Sequence, residues 1–128
     1  IDVLRTRSPC FSINHTDFEP LLRSPIAISI ETKHPSASGE GAALQVGVWQ
    51  AAQWSLLQSL TQSQPTSCSS TALPAFLPAI TVVGHDWTLA ATTRLGQKTT
   101  LWTDCPIGHT RNIIGIYRII WAIQQLAN

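Results

Sequence analysis

The segment at residues 26–33 restricts the fold more than any other part of the sequence. It reads Ile-Ala-Ile-Ser-Ile-Glu-Thr-Lys, and its isoleucines recur at every second position after Pro25. This two-residue period is typical of a β-strand, in which successive side chains point to opposite faces. One face of the strand is therefore apolar. Glu31 and Lys33 lie together on the other face, about 7 Å apart along the strand.

A long helix is predicted at residues 40–62, after a loop rich in Pro, Ser and Gly. At about 100° per residue, Leu44 and Val48 fall on one broad arc with several other apolar side chains, and we expect this arc to face the sheet. Gln50 and Gln53 lie mostly off the arc, so we expect them on the outer side of the helix.

The other elements are shorter. The sequence predicts strands at residues 1–6, 77–83, 87–93 and 99–103, a loop at 105–108, and a last helix at 111–127 with Thr110 as its N-cap. The last helix is apolar nearly all round, so we expect it to be well buried. The five tryptophans are also expected to lie in the core. This order of elements predicts a mixed α/β fold with a central sheet that carries helices.

The length of 128 residues fits one domain spanning residues 1–128. The polar stretch at residues 63–71 is interpreted as a flexible insertion. The chain begins with Ile and contains no Met, so we interpret it as a fragment of a longer protein. Charged residues make up 12% of the chain and the net charge is +1, which gives no support for strong non-specific binding to nucleic acid. A function must therefore be inferred from a site and not from composition.

The chain has three cysteines at wide spacing, Cys10, Cys68 and Cys105. They form neither a C-x-x-C pair nor a zinc-binding pattern with histidine. We interpret them as free thiols in a reducing compartment, and we expect an intracellular protein of the nucleus or cytoplasm. No run of about 18 apolar residues could span a bilayer, so we expect no membrane association.

The chemistry of the predicted strand end suits phosphodiester hydrolysis. The Glu31 carboxylate could hold Mg²⁺, a hard cation that prefers oxygen ligands, and the Lys33 ammonium could act on the attacking water or on the phosphate. Mg²⁺ is usually shared by one or two carboxylates, and Asp2 is the natural second one. Gln45 lies near the middle of the apolar arc of the long helix. A buried amide there needs partners, which this site could supply.

Several blocks of the sequence resemble the PD-(D/E)XK nuclease-like domain found in many fungal proteins. They are residues 12–17 (Ser-Ile-Asn-His-Thr-Asp), 25–33 and 44–49, followed by 84–87 and 107–111. The resemblance extends over nearly the whole chain. It implies a restriction-endonuclease-like fold, in which a mixed central β-sheet is flanked by helices. The helix expected before the first strand is missing from this sequence.

The resemblance also implies roles for individual residues. It makes Asp2 and Glu31 the metal ligands, Lys33 the catalytic lysine and Gln45 the polar helix residue that supports the site. The implied cofactor is Mg²⁺ or Mn²⁺, and the implied partner is nucleic acid, with DNA the expected form.

The same residues could also have no functional role. Glu31 and Lys33 could form only a solvated ion pair worth under about 1 kcal/mol, and Asp2 could be a frayed terminal residue. Gln45 could simply bond to backbone groups. His15 is interpreted as an ordinary loop histidine. The sequence therefore leaves open an enzyme, or a catalytically inactive module that keeps the fold and binds nucleic acid or a protein.

Overall fold

A computed structural model describes residues 6, 11–36, 38–62 and 72–127. Asp2, with most of the predicted strand at 1–6, and the predicted insertion at 63–71 lie outside these residues, as do Cys10 and Cys68. Thr6 is the one described residue of that strand, and its backbone is helical, so the prediction is wrong at this position. So short a run without a clear two-residue period does not separate strand from helix.

The described residues form a mixed four-stranded sheet with two helices, as predicted. In chain order the elements are a 3₁₀ helix (Glu19–Leu21), β1 (Ser29–Lys33), α1 (Gly39–Gln62), β2 (Leu77–Val83), β3 (Asp86–Leu95), β4 (Lys98–His109) and α2 (Ile113–Ala127). The strand order is β1-β2-β3-β4. β1 runs parallel to β2, and the other two pairings are antiparallel. The α/β prediction is confirmed.

The two helices cover opposite faces of the sheet. On one face, Val46 of α1 packs with Ala79 of β2 and Ala90 of β3. On the other, the buried side chains of Ile80, Val82 and Ile107 pack against residues near the end of α2. Alternate residues of β2 thus pack on opposite faces of the sheet, which is the pattern of a strand buried on both sides.

The long helix was predicted correctly, but its buried face was not. Leu44 and Val48 are 69% and 65% exposed, whereas Gln50 and Gln53 are buried. Gln50 Nε2 donates to the Pro78 carbonyl at 2.8 Å, and Gln53 Nε2 donates to the Ile26 carbonyl at 3.2 Å. These hydrogen bonds allow the glutamine side of α1 to pack on the sheet, because they satisfy amides whose burial would otherwise be unfavourable.

The region predicted as a loop at residues 105–108 is part of β4. It is irregular, because the pairing of β3 with β4 shifts its register twice and Asp104 has a φ of 68°. Pro106 lacks a backbone N–H, and it is tolerated because β4 is an edge strand among the described residues. Proline and glycine in this stretch therefore mark an irregular strand and not its end.

The last helix departs from two predictions. Thr110 was expected to cap it, but the cap is Asn112, whose Oδ1 accepts the Gly115 N–H at 2.8 Å. Only Gly115 and Ile119 of α2 are classed as buried. Its other side carries exposed apolar residues, including Ile114 at 73% and Trp121 at 63%. The expectation of a well-buried helix is wrong because α2 covers the sheet from one side only.

The tryptophans are not all in the core. Trp54 is 1% exposed, but Trp49, Trp102 and Trp121 are exposed.

No helix in the described ranges is long and apolar enough to cross a membrane.

Candidate functional site

The strand β1 brings Glu31 and Lys33 together, as its alternation predicted. Both side chains are less than one-third exposed, and the Lys33 Nζ lies 3.0 Å from the Glu31 Oε1. They point to the α1 side of the sheet, while Ile30 and Thr32 point away and are exposed. The pair is therefore a fixed unit on one face of the strand.

The pair lies where the two parallel strands end. Glu31 is opposite Thr81 and Lys33 is opposite Val83, the last residue of β2. The Gly84 N–H then donates to the Lys33 carbonyl at 3.0 Å, which joins the ends of both strands. In α/β sheets, ligands generally bind outside the carboxyl ends of the parallel strands. Glu31 and Lys33 occupy such a position.

Gln45 reaches this pair from α1. The Lys33 ammonium donates a hydrogen bond to Gln45 Oε1. Gln45 was predicted to be buried, but it is exposed, because α1 turns another arc toward the sheet. The amide therefore lies at the rim of the site and not beneath it. In a single contact it links the first turns of α1 to the end of β1.

The second carboxylate proposed from the sequence, Asp2, is outside the described residues. Within the described ranges no group of three or more His, Cys, Asp or Glu side chains could hold a metal ion. The nearby donors are oxygens, from the Glu31 carboxylate and the Gln45 amide. This chemistry fits Mg²⁺ or Mn²⁺, which take oxygen ligands and complete their shells with water and phosphate. It does not resemble a zinc site.

A wide cleft of about 1240 Å³ opens beside the pair, between β1 and α1. Glu31, Lys33 and Gln45 line its polar part. Most of the remaining lining is apolar, with Leu44, Val48 and Trp49 on α1 and Ile26 and Ile28 in the segment that leads into β1. This cleft was not predicted from the sequence, because the apolar arc of α1 was expected to face the core.

His15 also belongs to this region, although it was interpreted as an ordinary loop histidine. Its ring meets that of Trp49 edge-on, with centroids 4.3 Å apart and planes at 74°. Burial lowers the pKa of His15 below its usual value of 6.5, which favours the neutral ring. Nothing in the sequence indicates a contact between residues so far apart along the chain.

A separate polar cluster lies at the turn between β2 and β3. Arg111 pairs with Asp86 at 2.5 Å, and both side chains are more than half exposed. His85 Nδ1 lies 2.8 Å from Thr110 Oγ1. These contacts tie the turn to the segment before α2. Arg111 is therefore a surface charge paired with a carboxylate.

Comparison with known families agrees with the resemblance described above. The family model for the PD-(D/E)XK nuclease superfamily matches residues 1–128. No curated protein and no solved structure matches the chain significantly. The family match spans the chain, and the mixed sheet carries Glu31-Thr32-Lys33 at the end of a strand. The protein therefore belongs to the PD-(D/E)XK nuclease superfamily.

Proposed function

We propose that this protein is a nuclease that hydrolyses phosphodiester bonds of nucleic acid, with DNA as its expected substrate and Mg²⁺ or Mn²⁺ as its cofactor. The observation that carries the proposal is the direct contact of Lys33 with both Glu31 and Gln45 at the carboxyl end of β1. The contact with Gln45 restrains the ammonium from a second element and holds it at the edge of the cleft.

Lys33 is suited to act on the substrate. An ammonium group has three N–H donors, of which one reaches Glu31 and one reaches Gln45. The third can reach a phosphate oxygen or the attacking water. Because two partners restrain the side chain, less conformational freedom is lost when the third contact forms. Lys33 thus positions the water or offsets negative charge that develops on the phosphate.

Glu31 and Asp2 are the proposed metal ligands. Glu31 offers one carboxylate that faces the cleft, and Asp2 would supply the second. They would hold a divalent ion, which would supply Lewis-acid chemistry for hydrolysis of the phosphodiester. Gln45 keeps the Lys33 ammonium beside Glu31 instead of letting it extend into solvent.

Cleavage assays test this proposal. The full chain is incubated with plasmid and with single-stranded DNA, with Mg²⁺, with Mn²⁺ or with EDTA. We expect metal-dependent cleavage that Glu31→Ala and Lys33→Ala abolish and that Asp2→Ala strongly lowers. Gln45→Ala should reduce the rate about 10- to 100-fold, as expected for a residue that acts through another.

Matched controls are Glu40→Ala and Lys98→Ala, which remove the same charges from exposed positions on α1 and β4. Both should cleave at the wild-type rate. Equal cleavage by wild type, Glu31→Ala and Lys33→Ala would show that another group, or a contaminant, does the chemistry.

The alternative is an inactive module of this family that binds nucleic acid or a protein partner. The low charged fraction and the net charge of +1 favour it. This alternative predicts no cleavage by any variant under any metal condition.

An intracellular location, in the nucleus or cytoplasm, remains part of our proposal and is supported by the free, exposed thiol of Cys105.

A further inference from the structure

We propose that the apolar cleft beside Glu31 and Lys33 binds unpaired nucleobases, so that the preferred substrate is single-stranded nucleic acid. This inference rests on the proposed function and specifies its substrate class. It assigns a role to Trp49 and to the exposed apolar wall of α1, which the hydrolytic residues do not use.

The walls of the cleft offer apolar surface that faces water. Leu44 and Val48 are more than three-fifths exposed, and Trp49 is 39% exposed. Leu44 and Val48 lie one turn apart on α1, Trp49 directly follows Val48, and all three line the cleft with Gln45. Exposed apolar surface of this extent at a polar site generally marks a binding region.

Trp49 provides an aromatic surface in this cleft, and its ring is supported. The edge-on contact with His15 restrains the indole from the loop before β1. Single-strand-binding proteins use exposed aromatic rings in this way, because every base has a flat apolar face that can stack. A partly exposed and restrained indole loses little freedom when a base stacks on it.

The distribution of charge argues against a duplex as the occupant. Among the described residues that line the cleft, Lys33 is the one cation. Arg94, on the β3–β4 hairpin, donates hydrogen bonds to Gln97, Thr99 and Gln58 of α1, and Arg111 is paired with Asp86. Proteins that follow a duplex backbone commonly make about 6–10 phosphate contacts. One cation beside a long apolar surface fits a strand held mainly by its bases.

The dimensions agree with this occupant. A cleft of about 1240 Å³ exceeds the roughly 300–1,000 Å³ typical of sites for one drug-sized ligand. It has room for more than one nucleotide. A strand whose bases lie against Trp49 and Val48 would keep its phosphates near the rim, where Lys33 and Glu31 are.

Binding measured without metal tests the inference independently of cleavage. Fluorescence anisotropy in EDTA compares three labelled ligands of equal length: a thymidine single strand, a duplex, and an abasic strand with the same phosphates but no bases. We expect the single strand to bind at least about tenfold tighter than the duplex or the abasic strand.

The variants locate the binding surface. Trp49→Ala should weaken single-strand binding about 5- to 150-fold, the range that corresponds to the loss of one stacked base, and Trp49→Phe should retain most of it. Trp102→Ala removes a more exposed indole on β4 and should bind like wild type. Val48→Asp changes a side chain that is 65% exposed, so it tests the wall even if Trp49→Ala does not fold.

Three patterns of binding would overturn the inference. They are equal affinity for the abasic strand and the thymidine strand, preference for the duplex, and wild-type affinity in both Trp49→Ala and Val48→Asp. Absence of all binding would also overturn it and would favour a protein segment as the occupant of the cleft. Intact single-strand binding without any cleavage would remove the proposed hydrolysis and leave the base-binding site standing.

Discussion

At the scale of single residues, the interior depends on polar side chains that satisfy one another. Thr92 is fully buried, and its Oγ1 accepts the Trp54 Nε1–H at 2.9 Å while donating to Gln50 Oε1 at 2.8 Å. Gln50 in turn donates to the Pro78 carbonyl. These hydrogen bonds join α1 to β2 and β3, and each of the polar groups involved has a partner. Removal of one side chain therefore leaves the polar groups of its neighbours buried without a hydrogen bond.

We predict that Thr92→Val lowers the free energy of unfolding by about 2–4 kcal/mol. Valine has nearly the shape of threonine, so the loss comes from the unsatisfied Trp54 N–H and Gln50 carbonyl. Urea denaturation measures it.

The neighbouring change Thr93→Val is the control for this prediction. Thr93 Oγ1 accepts the Trp102 Nε1–H at 3.0 Å, but Trp102 is 59% exposed and can bond to water instead. Its expected cost is below about 1 kcal/mol. Equal costs for the two valine variants would contradict the idea that the buried chain of bonds matters.

His15 should make stability depend on pH. Both of its ring nitrogens are buried without a hydrogen-bond partner among the described residues, and burial lowers its pKa. The unfolded chain therefore binds a proton more readily than the folded chain does. The contribution of His15 is present above about pH 6.5 and is lost as the pH falls from there toward the lower folded pKa.

We predict that the wild-type free energy of unfolding falls between pH 7.5 and pH 5, and that it falls less in His15→Gln. Denaturation curves at a series of pH values give both slopes. Identical slopes in the two proteins would show that the buried imidazole does not couple folding to protonation.

At the scale of secondary-structure elements, two glycines allow α2 to approach the sheet. A Cβ at Gly108 of β4 would lie 2.5 Å from the Gly115 carbonyl, and one at Gly115 would lie 2.8 Å from His109 Nδ1. Backbone thus meets backbone where β4 ends and α2 begins. This close approach holds the start of α2 on the sheet, while residues near its end pack against Ile80, Val82 and Ile107.

We predict that Gly115→Ala lowers the free energy of unfolding by about 1–3 kcal/mol, because overpacking forces α2 away from β4. The matched control is Gly47→Ala, which also replaces a helical glycine. There the new Cβ would be 3.7 Å from Leu101 Cδ2, an ordinary contact. That variant should gain about 0.5–1 kcal/mol, since alanine favours the helix. Stabilisation by both substitutions would show that α2 can shift without cost.

At the scale of the whole molecule, the types of element were predictable and their orientation was not. The alternation in β1 predicted which side chains share a face, and the contact between Glu31 and Lys33 confirms it. The glycines at 84 and 96 lie in the hairpin turns, where both adopt a φ of 59°. These features are local, because each depends on residues a few positions apart.

The faces of the helices could not be predicted in the same way. Apolar content favoured Leu44 and Val48 as core residues of α1, yet the sheet is packed against Gln50 and Gln53. The carbonyls of Pro78 and Ile26 that accept hydrogen bonds from these amides lie 28 and 27 positions away in the chain, respectively. Hydrophobic periodicity contains no information about such partners.

The sequence by itself determined the α/β class, the strand that carries Glu31 and Lys33, and the membership of a nuclease superfamily. Only the tertiary structure decided that Gln45 binds Lys33, that Trp49 meets His15, and that the apolar arc of α1 lines a cleft. The physical reason is that side-chain alternation follows from backbone geometry over a few residues. Which surface a helix buries depends instead on hydrogen-bond partners and packing that only the folded chain brings together.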